Sequence, residues 1–413
     1  MKSGAIWAMF RVLAFTLCLV EAVCLPEFSA VALGLEFLPN ETQVSSQHDL
    51  IDPEYDQTGS QFTWVDSKGR LWIGKLDSSG MFEPSSGKAV LVDAYALDTN
   101  DLVNITMNGP EWLQTSEGPK IVYTRFLPYR PHTAETARIA IAEMDPAGAW
   151  VHTTLSPRYA FSAPYGSSDM DDPAPRITYM DTSHNHDWRQ INNYTMQGRI
   201  PLIAPSRRPV RWVEGSHSVI FVAKSPIDGT SQVFSYDVDT KALEQMTFDK
   251  GYKNTTSPWM WPAPEYNDEY IFFVNIYDAN SRSSVIRIYR RIDANNDGRL
   301  EWTKIYSIVA PLARIGSPEP FVYNGHSYIF MQLTINGYDY PTSIWLANID
   351  PANPFFRQIS DDTLLRARTD PEVFITGDGP YIYYNRKDPA DPTCSDLYCT
   401  EGIFRAYTGI PLL

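Results

Sequence analysis

A chain of 413 residues with a formal net charge of −15 lacks the basic stripe that neutralises phosphates, which excludes nucleic acid as a partner. Aromatic residues make up 13% of it and charged residues 20%, so a packed body is expected and a disordered one is excluded. This length suits two or three ordinary domains, but a repeat array of the same length closes into one body with a continuous core.

At the start, Lys2 and Arg11 flank the approach to an apolar run over residues 12–20, and small residues follow near Ala22. That is the layout of a secretory signal, and the run is shorter than the roughly 20 apolar residues a membrane span needs. Residues 1–22 are expected to be a signal peptide, cleaved between 22 and 30. The remainder, 31–413, reads as a single secreted, extracellular domain with no membrane partner. Glycan acceptor sequences at Asn40, Asn104, Asn193 and Asn254 agree with export. Cys18 and Cys24 fall in or beside the signal, which leaves Cys394 and Cys399. Their C-x4-C spacing in an oxidising compartment reads as a local disulfide, with a metal pair as the alternative.

From residue 50 onward a degenerate phrase returns about every 45 to 57 residues, a Pro usually followed by Glu that opens two short aromatic and β-branched strands. The copies are Asp52-Pro53-Glu54-Tyr55, Gly109-Pro110-Glu111-Trp112, Ala263-Pro264-Glu265-Tyr266, Ser317-Pro318-Glu319-Pro320 and Asp370-Pro371-Glu372-Val373, with weaker ones near Pro164 and Pro209. No copy buries its own apolar face, and four-stranded blades around a channel are the β solution to that problem. Alternating segments bounded by Gly, Asn and Asp, such as 71–77, 233–239 and 343–350, supply the outer half of each unit. A sustained 3.6-residue stripe is missing after the signal, which argues against an α/β enzyme fold.

The copies begin near residues 50, 108, 162, 207, 261, 315 and 368. The expected fold is all-β, a single seven-bladed β-propeller; a six-bladed ring is the alternative if the weak third copy is an insertion. The last copy runs out of chain after three strands, while residues 33–38 have no partner of their own. This N-terminal segment is expected to pair beside residues 403–407 as the missing outer strand, completing the last blade and covering an edge that invites aggregation.

The stretch Gln245-Met246-Thr247-Phe248-Asp249, Ser257-Pro258-Trp259-Met260-Trp261 and Tyr270-Ile271-Phe272-Phe273 resembles the repeat of TolB-like, WD40-like propellers. In that repeat a strand-ending Gln-x-Thr precedes a Pro-x-Trp and an apolar strand. The family's usual Ser-Pro-Asp-Gly turn is replaced by Ala263-Pro264-Glu265-Tyr266-Asn267-Asp268. The resemblance spans the fourth blade into the fifth and implies the fold. Such propellers include periplasmic adaptors and peptidase gates, and the wider architecture includes polysaccharide lyases and glycosidases.

Inner strands of a propeller start on one face, so Asp52, Glu54, Glu111, Glu265, Glu319, Asp370 and Glu372 are expected at the channel mouth. Such a ring binds a cation, caps backbone N–H groups of the next blade, or carries raised pKa values. With suitable spacing, two of its members act as acid and base or nucleophile in glycoside cleavage. The segment Ser183-His184-Asn185-His186-Asp187-Trp188-Arg189 is the densest polar cluster, with imidazoles suited to a general base or a metal. The catalytic candidates are therefore His184, His186, Arg189, Glu265, Glu319 and Glu372. Neighbouring loops offer Arg130, His132, Tyr338, Tyr340 and Arg386 for substrate binding, where arginine grips a uronate carboxylate in bidentate fashion. Trp259 and Trp261 read either as a sugar-stacking platform or as core.

Asp293, Asn295, Asp297 and Glu301 resemble the first half of a calcium loop, although Lys304 stands where a bidentate Glu is needed. Turn geometry demands the same residues. Calcium is the one cofactor candidate. These readings converge on a secreted, monomeric, carbohydrate-active propeller that cleaves a polysaccharide or oligosaccharide as a lyase or glycosidase. The alternative is a non-catalytic TolB-like propeller that binds a glycan or a protein.

Overall fold

Short alternating segments separated by tight Gly- and Asn-containing turns let each strand pair with its sequence neighbour before anything else. In the computed structural model the chain does this seven times. The structure describes residues 29–30, 40–82, 89–96, 109–128, 133–184, 187–201, 209–249, 255–278, 281–334, 341–390 and 400–412.

Seven antiparallel sheets, each with four such strands, stand around one axis. Their inner strands are Ile51–Asp56, Glu111–Thr115, Phe161–Gly166, Arg211–Trp212, Thr255–Ala263, Arg314–Tyr323 and Ala367–Thr376. The third repeat is a full blade, with strands Phe161–Gly166, Arg176–Asp181, Asp187–Asn192 and Thr195–Arg199, so the six-bladed alternative falls. Blade five carries a short parallel addition, in which Ser29 and Ala30 pair with Ser307 and Ile308.

The core is divided among the seams. Seven clusters of buried side chains are present among the described residues, each drawn from two adjacent blades. Phe62 and Trp64 of blade one, for example, pack with Phe374 and Tyr383 of blade seven, and Phe62 stacks on Tyr55 at 5.4 Å. Each such fully buried aromatic or aliphatic side chain contributes roughly 1.5–3 kcal/mol. A blade taken alone leaves both of these faces exposed, so the ring is the stable unit.

The outer strand of blade seven is Glu41–Ser45, antiparallel to Gly402–Tyr407 with Glu41 opposite Ala406. It takes the place expected for residues 33–38, which lie outside the described residues. An outer strand buries little apolar surface: in Glu41–Ser45 only Val44 and Ser45 are buried as whole residues, so no apolar pattern marks it.

Candidate functional site

Proline donates no backbone hydrogen bond, so an X-Pro step inside a paired strand forces an irregularity. In five inner strands the pairing slips there, between Ile51 and Glu54, Ser162 and Tyr165, Thr256 and Trp259, Gly316 and Glu319, and Thr369 and Glu372. The residue before the proline is left-handed at Asp52 (φ 51°), Ala163 (51°), Ser317 (39°) and Asp370 (56°), each a local strain held by the surrounding blade. A bulge re-aims the side chain that follows. The bulges thereby deliver Glu54, Tyr165, Trp259, Glu319 and Glu372 to the axis, and the regularly paired inner strands of blades two and four add Glu111 and Arg211. Members of distant blades act on one another: Glu111 of blade two and Asp52 of blade one both raise the pKa of Glu319 in blade six.

Six carboxyl groups, Asp52, Glu54, Glu111, Glu319, Asp370 and Glu372, thus share the channel with one guanidinium, Arg211. Arg211 Nη2 stands 3.7 Å from Glu319 Oε1, and its guanidinium lies 4.0 Å over the Trp259 ring and 5.3 Å from that of Tyr165. Protein encloses both partners, yet Arg211 and Glu319 keep 17% and 18% of their side-chain surface uncovered, which leaves space beside them at the axis.

Burial raises the Glu54 carboxyl far above its ordinary value, and the charges of Glu372 and Glu111 add to this. Glu372 is raised in the same way by burial, then by Glu319 and Asp370. Burial pushes Glu319 up to about 8; Arg211 opposes the shift, and Glu111 and Asp52 reinforce it. Burial also raises Asp52, which feels the charge of Asp370 and shares a hydrogen bond with it, while the Gly109 N–H favours its ionised form. Two carboxyls joined in this way hold a proton between them. Burial works against the charge of Arg211, but Glu319, Tyr165 and Glu111 more than offset it, leaving its pKa above the usual value. Glu319 therefore keeps its proton at neutral pH, and burial and mutual repulsion favour the protonated forms of Glu54, Glu372 and Asp52 as well.

Bonds between blades fix these side chains. The Trp112 indole donates to the Glu54 carbonyl at 2.9 Å, and Trp212 donates to that of Tyr165 at 3.2 Å. In both cases the residue after a channel side chain anchors the channel residue of the preceding blade. Gly109 stands where the second repeat has no room for a side chain, since a Cβ there would lie 2.0 Å from Asp52 Oδ2.

Glu319 and Glu372 meet in the channel, but Glu265 does not. It sits in a short 3-10 turn, Pro264–Tyr266, and accepts hydrogen bonds from Ser327 N–H and Oγ–H, both at 2.8 Å. It lines a cleft of about 380 Å³ between blades five and six with His326, Tyr328 and Asp350. The blade-five copy that reaches the axis is Ser257-Pro258-Trp259. Trp261 belongs to the core, 2% exposed, and donates to Ser327 Oγ at 3.0 Å.

His184 and Arg189 come together on Asp181, at 2.9 and 2.8 Å from its Oδ2. Burial alone would raise that carboxyl; bonds from Ser183 and His184 and the charge of Arg189 bring it below its ordinary value. Arg386 is engaged in ion pairs too. It is spent on closing blade seven, bonded to Glu41 at 2.8 Å and Glu401 at 2.6 Å. Asp293 accepts the N–H groups of Asp297 and Gly298, and Asp297 accepts that of Arg299, so carboxylate oxygens of the suggested calcium loop cap its own turn. Asn40 and Asn193 are exposed. His186, Arg130, His132, Tyr338, Tyr340, Cys394, Cys399, Asn104 and Asn254 lie outside the described residues.

The expectation built on Glu after Pro missed Tyr165, Arg211 and Trp259. Their signal was the proline itself: Pro164 and Pro258 immediately precede Tyr165 and Trp259, and Pro209 stands two before Arg211.

No protein-family model and no curated protein matches the chain. Solved structures do. A β-propeller domain of Cps50 (Swd1) from Myceliophteria thermophila is 9% identical, with a TM-score of 0.52 over 89% of this chain and 99% of that one. A hypothetical selenium-binding protein from Sulfolobus tokodaii is 10% identical, with a TM-score of 0.50 over 82% of each. TolB from Acinetobacter baumannii is 14% identical, with a TM-score of 0.43, and the match covers 73% of this chain and 66% of that one. At these identities the likeness is one of fold alone, and the chain is a seven-bladed β-propeller.

Proposed function

We propose that this chain is a binding propeller, without catalysis, whose axial channel takes up an organic cation, an ammonium or guanidinium group presented by a ligand or a partner protein. One observation carries the reading: among the described residues, six carboxyl groups face one guanidinium, that of Arg211, in the axial channel. Aromatic walls favour an organic cation over a bare metal ion, and Arg211 already sits against Trp259 at 4.0 Å as such a guest would. Release of the stored protons accompanies uptake, so affinity rises with pH.

The test is a thermal-shift and calorimetric titration of the full chain with spermidine, arginine methyl ester and calcium chloride. The organic cations should stabilise the parent, and the pair Glu54→Gln with Glu372→Gln should abolish that response. Equal stabilisation by calcium alone would replace the organic cation with a metal, and no response to any of the three would overturn the reading.

A second reading rests on Glu319. A carboxyl at about 8 stays protonated at neutral pH and suits the general acid of glycoside cleavage. A polysaccharide panel followed by reducing ends and by 235 nm absorbance separates the two: binding alone predicts silence in both. Export through the signal at 1–22 and glycans on Asn40 and Asn193 belong to either reading.

A further inference from the structure

At the seam between blades three and four, away from the axis, three turns bring four side chains together. Asp169 and Asp172 lie between the first and second strands of blade three, His217 in the corresponding turn of blade four, and Asp239 beyond that blade's third strand. His217 Nδ1 is 2.5 Å from Asp239 Oδ2. An ionised carboxylate only accepts, so Nδ1 carries the proton and, in the neutral ring, Nε2 presents a lone pair.

That lone pair faces two more carboxylates. Nε2 is 3.2 Å from Asp172 Oδ2 and 3.5 Å from Asp169 Oδ2, and the three atoms lie within 4.8 Å of one another. These separations sit at or beyond the reach of a direct N–H···O bond. The two nitrogen–oxygen separations match the roughly 3.3 Å between ligand atoms of a tetrahedral ion with bonds of about 2.0–2.2 Å.

We propose that Asp169, Asp172 and His217 form a site for a divalent transition ion of the zinc class, with Asp239 orienting the imidazole from behind. A carboxylate on the far nitrogen is the arrangement that fixes the tautomer of a metal-binding histidine. Mixed imidazole and carboxylate donors suit zinc better than calcium or magnesium, which take oxygen alone. Charge agrees: Arg176 bonds Asp172 at 2.6 Å and Asp239 at 3.1 Å, so three carboxylates and one guanidinium leave two negative charges for the ion to neutralise. Asp172 Oδ2 serves both Arg176 and the ion through separate lone pairs. Access is open, since the side chains of Asp169 and Asp172 are 13% and 12% exposed and that of His217 36%. The fourth position is left to water or to a donor from a partner. The ion would tie blade three to blade four, where Gly215 N–H already donates to the Ser168 carbonyl at 2.8 Å.

The experiment titrates untagged full-length chain with Zn²⁺ against a chromophoric chelator and measures melting with and without the metal. One ion per chain and a zinc-dependent rise in Tm are expected. Asp169→Asn and His217→Gln should each lose at least about tenfold in affinity, and Asp239→Asn about 10–100-fold. Asp169→Asn preserves shape and serves if His217→Gln fails to fold. Glu54→Gln with Glu372→Gln should bind zinc as the parent does, which keeps this site distinct from the channel. A parent that neither competes with the chelator nor gains Tm, or variants that bind like the parent, would overturn the assignment in favour of an imidazolium clasp between the blades.

Discussion

Glu319 titrates at about 8 in the folded chain against an ordinary 4.5. Between those values the folded chain holds a proton that the unfolded chain has released, so this group makes stability fall as pH rises through the window. Below pH 4.5 both states are protonated and the penalty vanishes. Glu319→Gln keeps the shape and removes the titration. Its melting temperature relative to the parent is expected to be lowest near pH 4.5 and to climb steadily toward pH 8; an offset constant across that range would clear Glu319 as the source. Arg211 limits the gain, since it stands 3.7 Å from the carboxylate and loses an ionised partner at high pH. Glu111 and Glu372, which also support its charge, remain.

Strand Glu41–Ser45 is held less by apolar burial than by one side chain. The Glu41 carboxylate, 4% exposed, receives Arg368 Nε and, at 2.8 Å each, Tyr384 Oη and Arg386 Nη1. Arg368 is 2% exposed. Breaking a buried pair strands the remaining charge, so Glu41→Ala is expected to cost about 3–5 kcal/mol, read by urea denaturation. A loss below about 1 kcal/mol would mean that the pairing itself secures the strand. The polar character of this element explains why it was illegible in the sequence, whereas a strand such as Thr342–Asn348, whose burial alternates over most of its length, could be read directly. The channel was legible in part. Proline marks the bulge, but the side chain that follows varies among Glu, Tyr and Trp, so a search for Glu found Glu54, Glu111, Glu319 and Glu372 and passed over the rest. In blade five Pro264 lies 55 residues after Pro209 and 54 before Pro318, a more regular spacing than that of Pro258, and regularity favoured the wrong copy. Sheet pairing decides the matter, because Trp259 follows a register slip within a strand and Glu265 lies in the turn beyond it. The Asp169, Asp172 and His217 group gave no local signal, since His217 lies 45 residues after Asp172, in the next blade.

Seven repeats of about equal length predict a ring, but only the pairing of both chain ends closes it. Blade seven takes three strands from residues 367–407 and its fourth from Glu41–Ser45. Each seam cluster draws on two blades, and the cluster between blades seven and one includes Val44 and Ile403 together with Phe62 and Trp64. Loss of the closing strand therefore removes a hydrogen-bonded neighbour from Gly402–Tyr407 and a wall from that seam at once. A chain beginning at residue 46 also leaves Arg368 and Arg386 without Glu41. Its bare edge, continuous with buried Phe404 and Ala406, is the kind that pairs with another copy. Such a chain is expected to melt earlier and less cooperatively than one beginning at residue 40, and to elute at a larger, concentration-dependent size with raised light scattering. A chain beginning at residue 46 that stays monomeric and melts with its longer counterpart would show that six complete blades and a three-stranded seventh suffice to hold the channel.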